Sequence, residues 1–217
     1  MTTKPSAAGY YSASVAVGQA IVFRRLSSFP ASGLVLLAFL TASAAALDPQ
    51  ETVLQIDPGQ TQVEFTLGAV LHTVHGTFRL KRGEMRFDAA SGSASGELVV
   101  DAASAESGNQ ARDKNMRQAV LESGRYPEIV FRPERIVGKV AAQGASQVRL
   151  DGVFSIHGAE HELEMPAEVE AGGGQYRATV RFTVPFVEWG MKDPSTLFLR
   201  VEKHVDITIR TVAKAAK

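Results

Sequence analysis

Tyr176-Arg177-Ala178-Thr179-Val180-Arg181-Phe182-Thr183-Val184-Pro185-Phe186 is the stretch that decides the fold. Its even positions are aromatic, aliphatic or Ala; its odd positions carry Arg, Thr and Pro. Successive side chains of an extended chain point to opposite faces, so this segment predicts a strand with one apolar and one wet face. Residues 197–209 repeat the pattern, with Leu197, Leu199, Val201, Val205, Ile207 and Ile209 set against Arg200, Glu202, His204, Asp206 and Thr208. Lys203 interrupts the apolar row and predicts a bulge or a barrel mouth at that point. Val148, Leu150, Phe154 and Ile156 alternate with Arg149, Asp151, Ser155 and His157, and Val63, Phe65 and Leu67 alternate with Gln62, Glu64 and Thr66.

Shorter runs at 76–80, 84–87, 96–100, 129–136 and 161–169 complete the set. Turn residues separate them, at Asp57-Pro58-Gly59, Ser91-Gly92-Ser93, Gln143-Gly144-Ala145 and Gly172-Gly173-Gly174. About eight or more one-sided strands with short connections predict an antiparallel sandwich or barrel. Strands of about eleven residues reach roughly 36 Å, which favours a tall barrel. Residues 102–126 do not alternate. They hold helix formers from Asn109 to Leu121, plausible caps at Ser107 and Asn109, and an apolar stripe of Met116, Val120 and Leu121. One short helix over a barrel opening is the expectation.

The chain has 217 residues, 23 basic and 23 acidic side chains and no Cys, which excludes disulfides, thiolate metal sites and thiol nucleophiles. Residues 1–46 contain Lys4, Arg24 and Arg25 and no acid, so the remainder carries a net charge of −3. That argues against nucleic acid as a partner. Arg24-Arg25, the apolar run 33–40 and the small residues 41–46 read as a secretory signal, with cleavage near Ala44 or Ala46. The expectation is a signal segment over 1–46 and one barrel domain over 47–217, exported and periplasmic.

Conventional catalytic patterns are missing. His72 and His75 lie three apart and so on opposite faces of a strand, and His157 to His161 falls in a hairpin turn, so no metal site is expected. There is no G-x-S-x-G elbow, no phosphate-binding glycine loop and no defensible carboxylate pair. No residue cluster implies a cofactor. Phe65, Phe78, Phe87, Phe131, Phe154, Phe182 and Phe186 recur on the apolar faces. In a barrel of about eight strands such residues either fill the interior or wall a cavity for one elongated apolar ligand, and periodicity does not separate the two.

Four motifs in order resemble the YceI-like family of bacterial polyisoprenoid-binding proteins. They are Ile56-Asp57-Pro58-Gly59-Gln60-Thr61-Gln62-Val63-Glu64-Phe65; His72 with Val74-His75-Gly76-Thr77-Phe78; Asn109-x-x-Arg112-Asp113-x-x-Met116-Arg117 followed by Tyr126-Pro127-x-Ile129-x-Phe131; and Leu150-Asp151-Gly152-Val153-Phe154-Ser155-Ile156-His157-Gly158. The resemblance runs from about residue 53 to 210. Gln60-Thr61 stands where the family has His-Ser, and residues 186–195 replace its late Asn-Arg-x-Asp-Phe-Gly motif.

The resemblance implies an all-β, eight-stranded, antiparallel, lipocalin-like barrel with one short covering helix. Its long apolar cavity would take an isoprenoid chain, such as an isoprenoid quinone or a polyprenyl phosphate. By parity the wall residues are Phe65, Leu67, Phe78, Phe154, Ile156, Val180, Phe182, Val184 and Leu199. By motif position the candidates for the mouth or headgroup are His72, Arg112, Asn115 and Trp189, with an exposed loop anchor as the equal alternative for Trp189. A binding protein that makes no bonds is the first reading. Its rivals are an enzyme or redox accessory using His72 or His157 on the bound lipid, and a filled barrel that docks transiently on an inner-membrane partner such as a cytochrome. A lone edge strand would also pair two copies into a homodimer.

Overall fold

Nine strands fill eight positions around a closed antiparallel barrel in the computed structural model, which describes residues 51–70, 72–196 and 200–216. The strands are β1 (Glu51–Ile56), β2 (Gln62–Leu67), β3 (Val74–Asp88), β4 (Ala94–Glu106), β5 (Glu128–Val137), β6 (Gly144–Ile156), β7 (Ala159–Gly172), β8 (Gln175–Val184) and β9 (Val205–Ala215). From β3 to β9 each strand pairs with the next in sequence. β1 and β2 stand end to end in the eighth position, both between β3 and β9. Their joint is a 3-10 turn at Pro58–Gln60, capped by Asp57, whose carboxylate accepts from the Gly59 N–H at 2.9 Å and the Gln60 amide at 2.7 Å. Because β4 pairs with β3, no whole strand is left at an edge among the described residues. The proposed signal segment 1–46 and the wall candidate Leu199 lie outside the described residues.

Three details differ from the sequence reading, each for a local reason. The runs 76–80 and 84–87 belong to one strand, because a bulge at Leu80/Arg82 moves the inward face from even to odd positions without ending it. Phe78 and Leu80 point inward before it; Gly83, Met85 and Phe87 do so after it. Residues 102–106 end β4 instead of leading into the helix. Alternation is invisible there because Ala102 and Ala105 are buried while Ser104 takes part in the pairing, accepting from the Arg79 N–H at 2.8 Å and donating to the Asp101 carbonyl at 2.6 Å. β9 begins only at Val205; Val201 makes an isolated bridge to Ala69, and the break at Lys203 lies between them.

The covering helix is short. α1 (Gln110–Asn115) starts at Asn109, whose side-chain oxygen accepts from the Arg112 N–H at 3.0 Å, and continues as a π turn, Met116–Val120. Ser107 has another task, described below.

The barrel's outside is charged. Arg149 lies 2.7 Å from Asp151 and 3.1 Å from Glu164, and Arg210 lies 2.6 Å from Glu64. Exposed pairs of this kind contribute little stability each. Their placement is the opposite of the outward apolar band of a membrane-spanning barrel. No helix among the described residues is long and apolar enough to cross a membrane.

Candidate functional site

The inward row of β8 divides the barrel by depth. Phe182 and Val184 line an upper cavity of about 540 Å³, whereas Tyr176 and Ala178 line a lower one of about 60 Å³. Their cross-strand neighbours on β9 follow suit: Val205 and Ile207 line the upper cavity, Thr211 and Ala213 the lower. Of the wall residues expected from parity, Phe65, Leu67, Phe78, Phe154, Ile156, Phe182 and Val184 line the upper cavity together. Val180 lines neither: it is buried between the two levels. Parity assigns a face and leaves depth open. The aromatic rings interlock, Phe154 edge-on to Phe182 at 5.8 Å and Phe65 tilted against Phe78 at 5.4 Å.

Polar groups gather at one end of this apolar space. His72, Ser107, Asn109, Arg112 and Asn115 all line it, beside Met116, Val120 and Leu121 from the helical cover. Arg112 is held in place: its Nε donates to the Ser107 hydroxyl at 2.7 Å and one terminal nitrogen to the Ser107 carbonyl at 2.9 Å. Ser107 is fixed in turn by Asp113, buried at 5% exposure, which accepts from the Ser107 N–H at 2.9 Å and from its hydroxyl. The second terminal nitrogen of Arg112 has no hydrogen-bond partner among the described residues. A fully charged, pre-oriented guanidinium at the rim of an apolar cavity suits a phosphate or a carbonyl oxygen.

The loop after β8 carries lining residues that parity did not reach. Pairing between β7 and β8 covers only 167–172 and 175–180 and stops at Pro166, which has no N–H to donate. The loop enters the space so opened, and Phe186, Met191 and Pro194 line the upper cavity there. Trp189 lies behind this wall instead of at the mouth. It stacks on His161 of β7 at 3.8 Å, nearly parallel at 7°, and leans on Phe154 at 6.0 Å. The only sequence signal for this role was negative, since residues 187–195 do not alternate.

The His161 Nε2 atom is buried with no hydrogen-bond partner among the described residues, and burial pushes the imidazole below its ordinary 6.5. As pH falls, the unfolded chain takes up this proton before the folded one does. The stability owed to neutral His161 is therefore present above about 6.5 and is lost as pH falls toward the folded-state value. Trp189, the chain's sole tryptophan, reports on the ring directly. Its emission is expected to quench on acidification with a midpoint below 6.5, and a His161→Phe variant, which keeps the stack, should flatten that titration.

The other histidines are separated. His75 faces outward on β3 and contacts the Thr66 hydroxyl at 3.2 Å, whereas His72 precedes the strand and lines the cavity. His157, in the β6–β7 turn at φ 53°, lies 2.7 Å from the Glu122 carboxylate and packs on Tyr126, away from the cavity lining. Among the described residues no group of three or more His, Cys, Asp or Glu side chains is placed to hold a metal ion.

The family model described as YceI-like domain matches residues 54–213. Solved structures of other bacterial proteins share the fold. Burkholderia cenocepacia BcnA superposes with a TM-score of 0.61 at 18% identity, covering 73% of this chain and 99% of its own. A polyisoprenoid binding domain from Saccharophagus degradans, implicated in plant cell wall breakdown, gives 0.56 at 15% identity over 75% of this chain and 98% of its own. The YCEI protein of Campylobacter jejuni gives 0.50 at 16% identity over 62% and 80%.

Proposed function

The chain belongs to the YceI-like family, and on that premise we propose that it is an exported, periplasmic binding protein that encloses the chain of an isoprenoid lipid, such as an isoprenoid quinone or a polyprenyl phosphate. One observation carries this reading: an apolar cavity of about 540 Å³ in the barrel, rimmed at one end by Arg112, Asn115, Asn109, Ser107 and His72. The domain from Saccharophagus degradans, a polyisoprenoid binder of the same fold, supports the choice of ligand class. The basic, acid-free stretch 1–46 with its apolar run supports export.

The mechanism is burial without bond making. Covering the roughly five carbons of one isoprene unit contributes about 4 kcal/mol gross. Ordering of the flexible chain offsets much of that gain, so affinity comes from several enclosed units and from a polar anchor. Arg112 supplies the anchor, held toward the rim by the Ser107–Asp113 pair. The apolar walls are indifferent to chain chemistry, so the rim decides which headgroup is accepted.

Native mass spectrometry of protein purified from its own compartment is expected to show a retained lipid as added mass. A protein that arrives empty and takes up no prenyl lipid in vitro would defeat the reading, and conversion of an added lipid to a product would favour the enzyme reading through His72. Arg112→Gln should weaken binding of a prenyl diphosphate about tenfold, through loss of one charge-assisted contact, and the parent alcohol much less. Equal losses for both would remove Arg112 from the anchor role.

A further inference from the structure

The two cavities lie on one axis inside the same barrel, and a belt of side chains separates them. On β8, Val180 sits between Phe182 of the upper cavity and Ala178 of the lower; on β5, Phe131 sits between Ile129 and Ile136; on β3, Leu80 sits between Phe78 and Met85. β7 adds Met165, opposite Leu150 of the lower cavity and 3% exposed. All four belt residues are buried and line neither space. Phe131 is given its room by Gly152, where a Cβ would come within 2.9 Å of the ring.

Resting on the isoprenoid reading above, we infer that this belt is the floor of the binding chamber and makes the protein selective for chain length, with Met165 as the residue that sets the limit. The upper cavity holds about 540 Å³. Along β8 it runs from Val180 at the belt to Val184, four residues or about 13 Å at roughly 3.3 Å each, and this depth limits how many isoprene units lie inside. A longer chain leaves its remainder outside or must displace the belt. Met165 is the belt member nearest the lower cavity in register: it stands across from Leu150, which lines that cavity, and its side chain is long and unbranched. Val180 is shorter, and Phe131 is braced by the backbone around Gly152.

The test is a competition among all-trans prenols of fifteen, twenty and forty carbons, presented in equimolar mixture to the full-length protein and read by native mass spectrometry. The native protein is expected to retain the two shorter alcohols at least tenfold over the longest. Met165→Ala, which joins the two cavities, should raise retention of the longest at least tenfold, while Met165→Leu, which keeps the volume, should not. Adding Ala178→Leu to Met165→Ala refills the lower cavity and should return the preference to the short chains. Equal retention of all lengths by the native protein, or an unchanged preference in a folded Met165→Ala, would overturn the floor alone. Retention of no prenol at any length would overturn the isoprenoid reading, and the floor proposal with it.

Discussion

Phe182→Asp is expected to abolish lipid retention, with a loss of at least a hundredfold in affinity, while leaving the barrel folded. Phe182 projects from β8 into the upper cavity, opposite Ile207 and edge-on to Phe154 at 5.8 Å. A carboxylate at that point must keep its water, because stripping an ion of solvent without a partner costs several kcal/mol. The side chain stays hydrated because it faces a cavity instead of packed core, and the water it holds occupies space the lipid chain would fill. A hundredfold loss corresponds to about 2.7 kcal/mol, less than burying one carboxylate against hydrocarbon. Phe182→Leu should stay within a fewfold of the native protein. Thr183→Asp, one residue on and facing outward beside Asp206, should bind as the native protein does. Native mass spectrometry measures retention, and circular dichroism confirms folding. A folded Phe182→Asp that still carries its lipid would place the ligand elsewhere.

The second large effect is on stability. Gly152→Val is expected to destabilise the barrel by about 3 kcal/mol or more, read as the shift of the urea midpoint at constant slope. A Cβ at this position would fall 2.3 Å from the Arg132 carbonyl oxygen and 2.9 Å from the Pro133 Cα, both backbone atoms of the adjoining strand. Neither can swing aside as a side chain end would. Relief requires β5 and β6 to part at the Pro133/Arg135 bulge, in the middle of their pairing. Gly172→Val, at a position where nothing lies within 4 Å of an added Cβ, is the control and should cost far less. Similar midpoints for the two variants would mean that the adjoining strand yields freely.

Much of the architecture was legible because the barrel is a one-sided sheet. In β8 and β9 the alternation of Val180, Phe182 and Val184 with Arg181 and Thr183 reflects the requirement that one face meet water. The helix start was legible from Asn109, since its side chain competes well for the first free N–H groups. Parity failed where a bulge exchanged faces within β3, and where Ala102, Ser104 and Ala105 are too small to carry a hydrophobic rhythm. For the site, parity selected side chains that face inward but could not say how deep each lies. Val180 and Phe182 are two residues apart on one face, yet one belongs to the floor and the other to the wall. Trp189 was read as a mouth or headgroup residue, but its place behind the wall depends on the gap that Pro166 leaves between β7 and β8, a relation between distant residues that no local pattern records.

The shared position of β1 and β2 has a kinetic corollary. The ring is shut by contacts between the first strands and the last: the Thr61 hydroxyl meets that of Thr211 at a sequence separation of 150 residues, and Leu54 pairs with Ala215. Such distant partners must be brought together before any energy is returned, so folding of this topology is intrinsically slow. With β9 taken away, β8 on one side and β1 and β2 on the other would be left as open edges, and the greasy interior would face water along its full height.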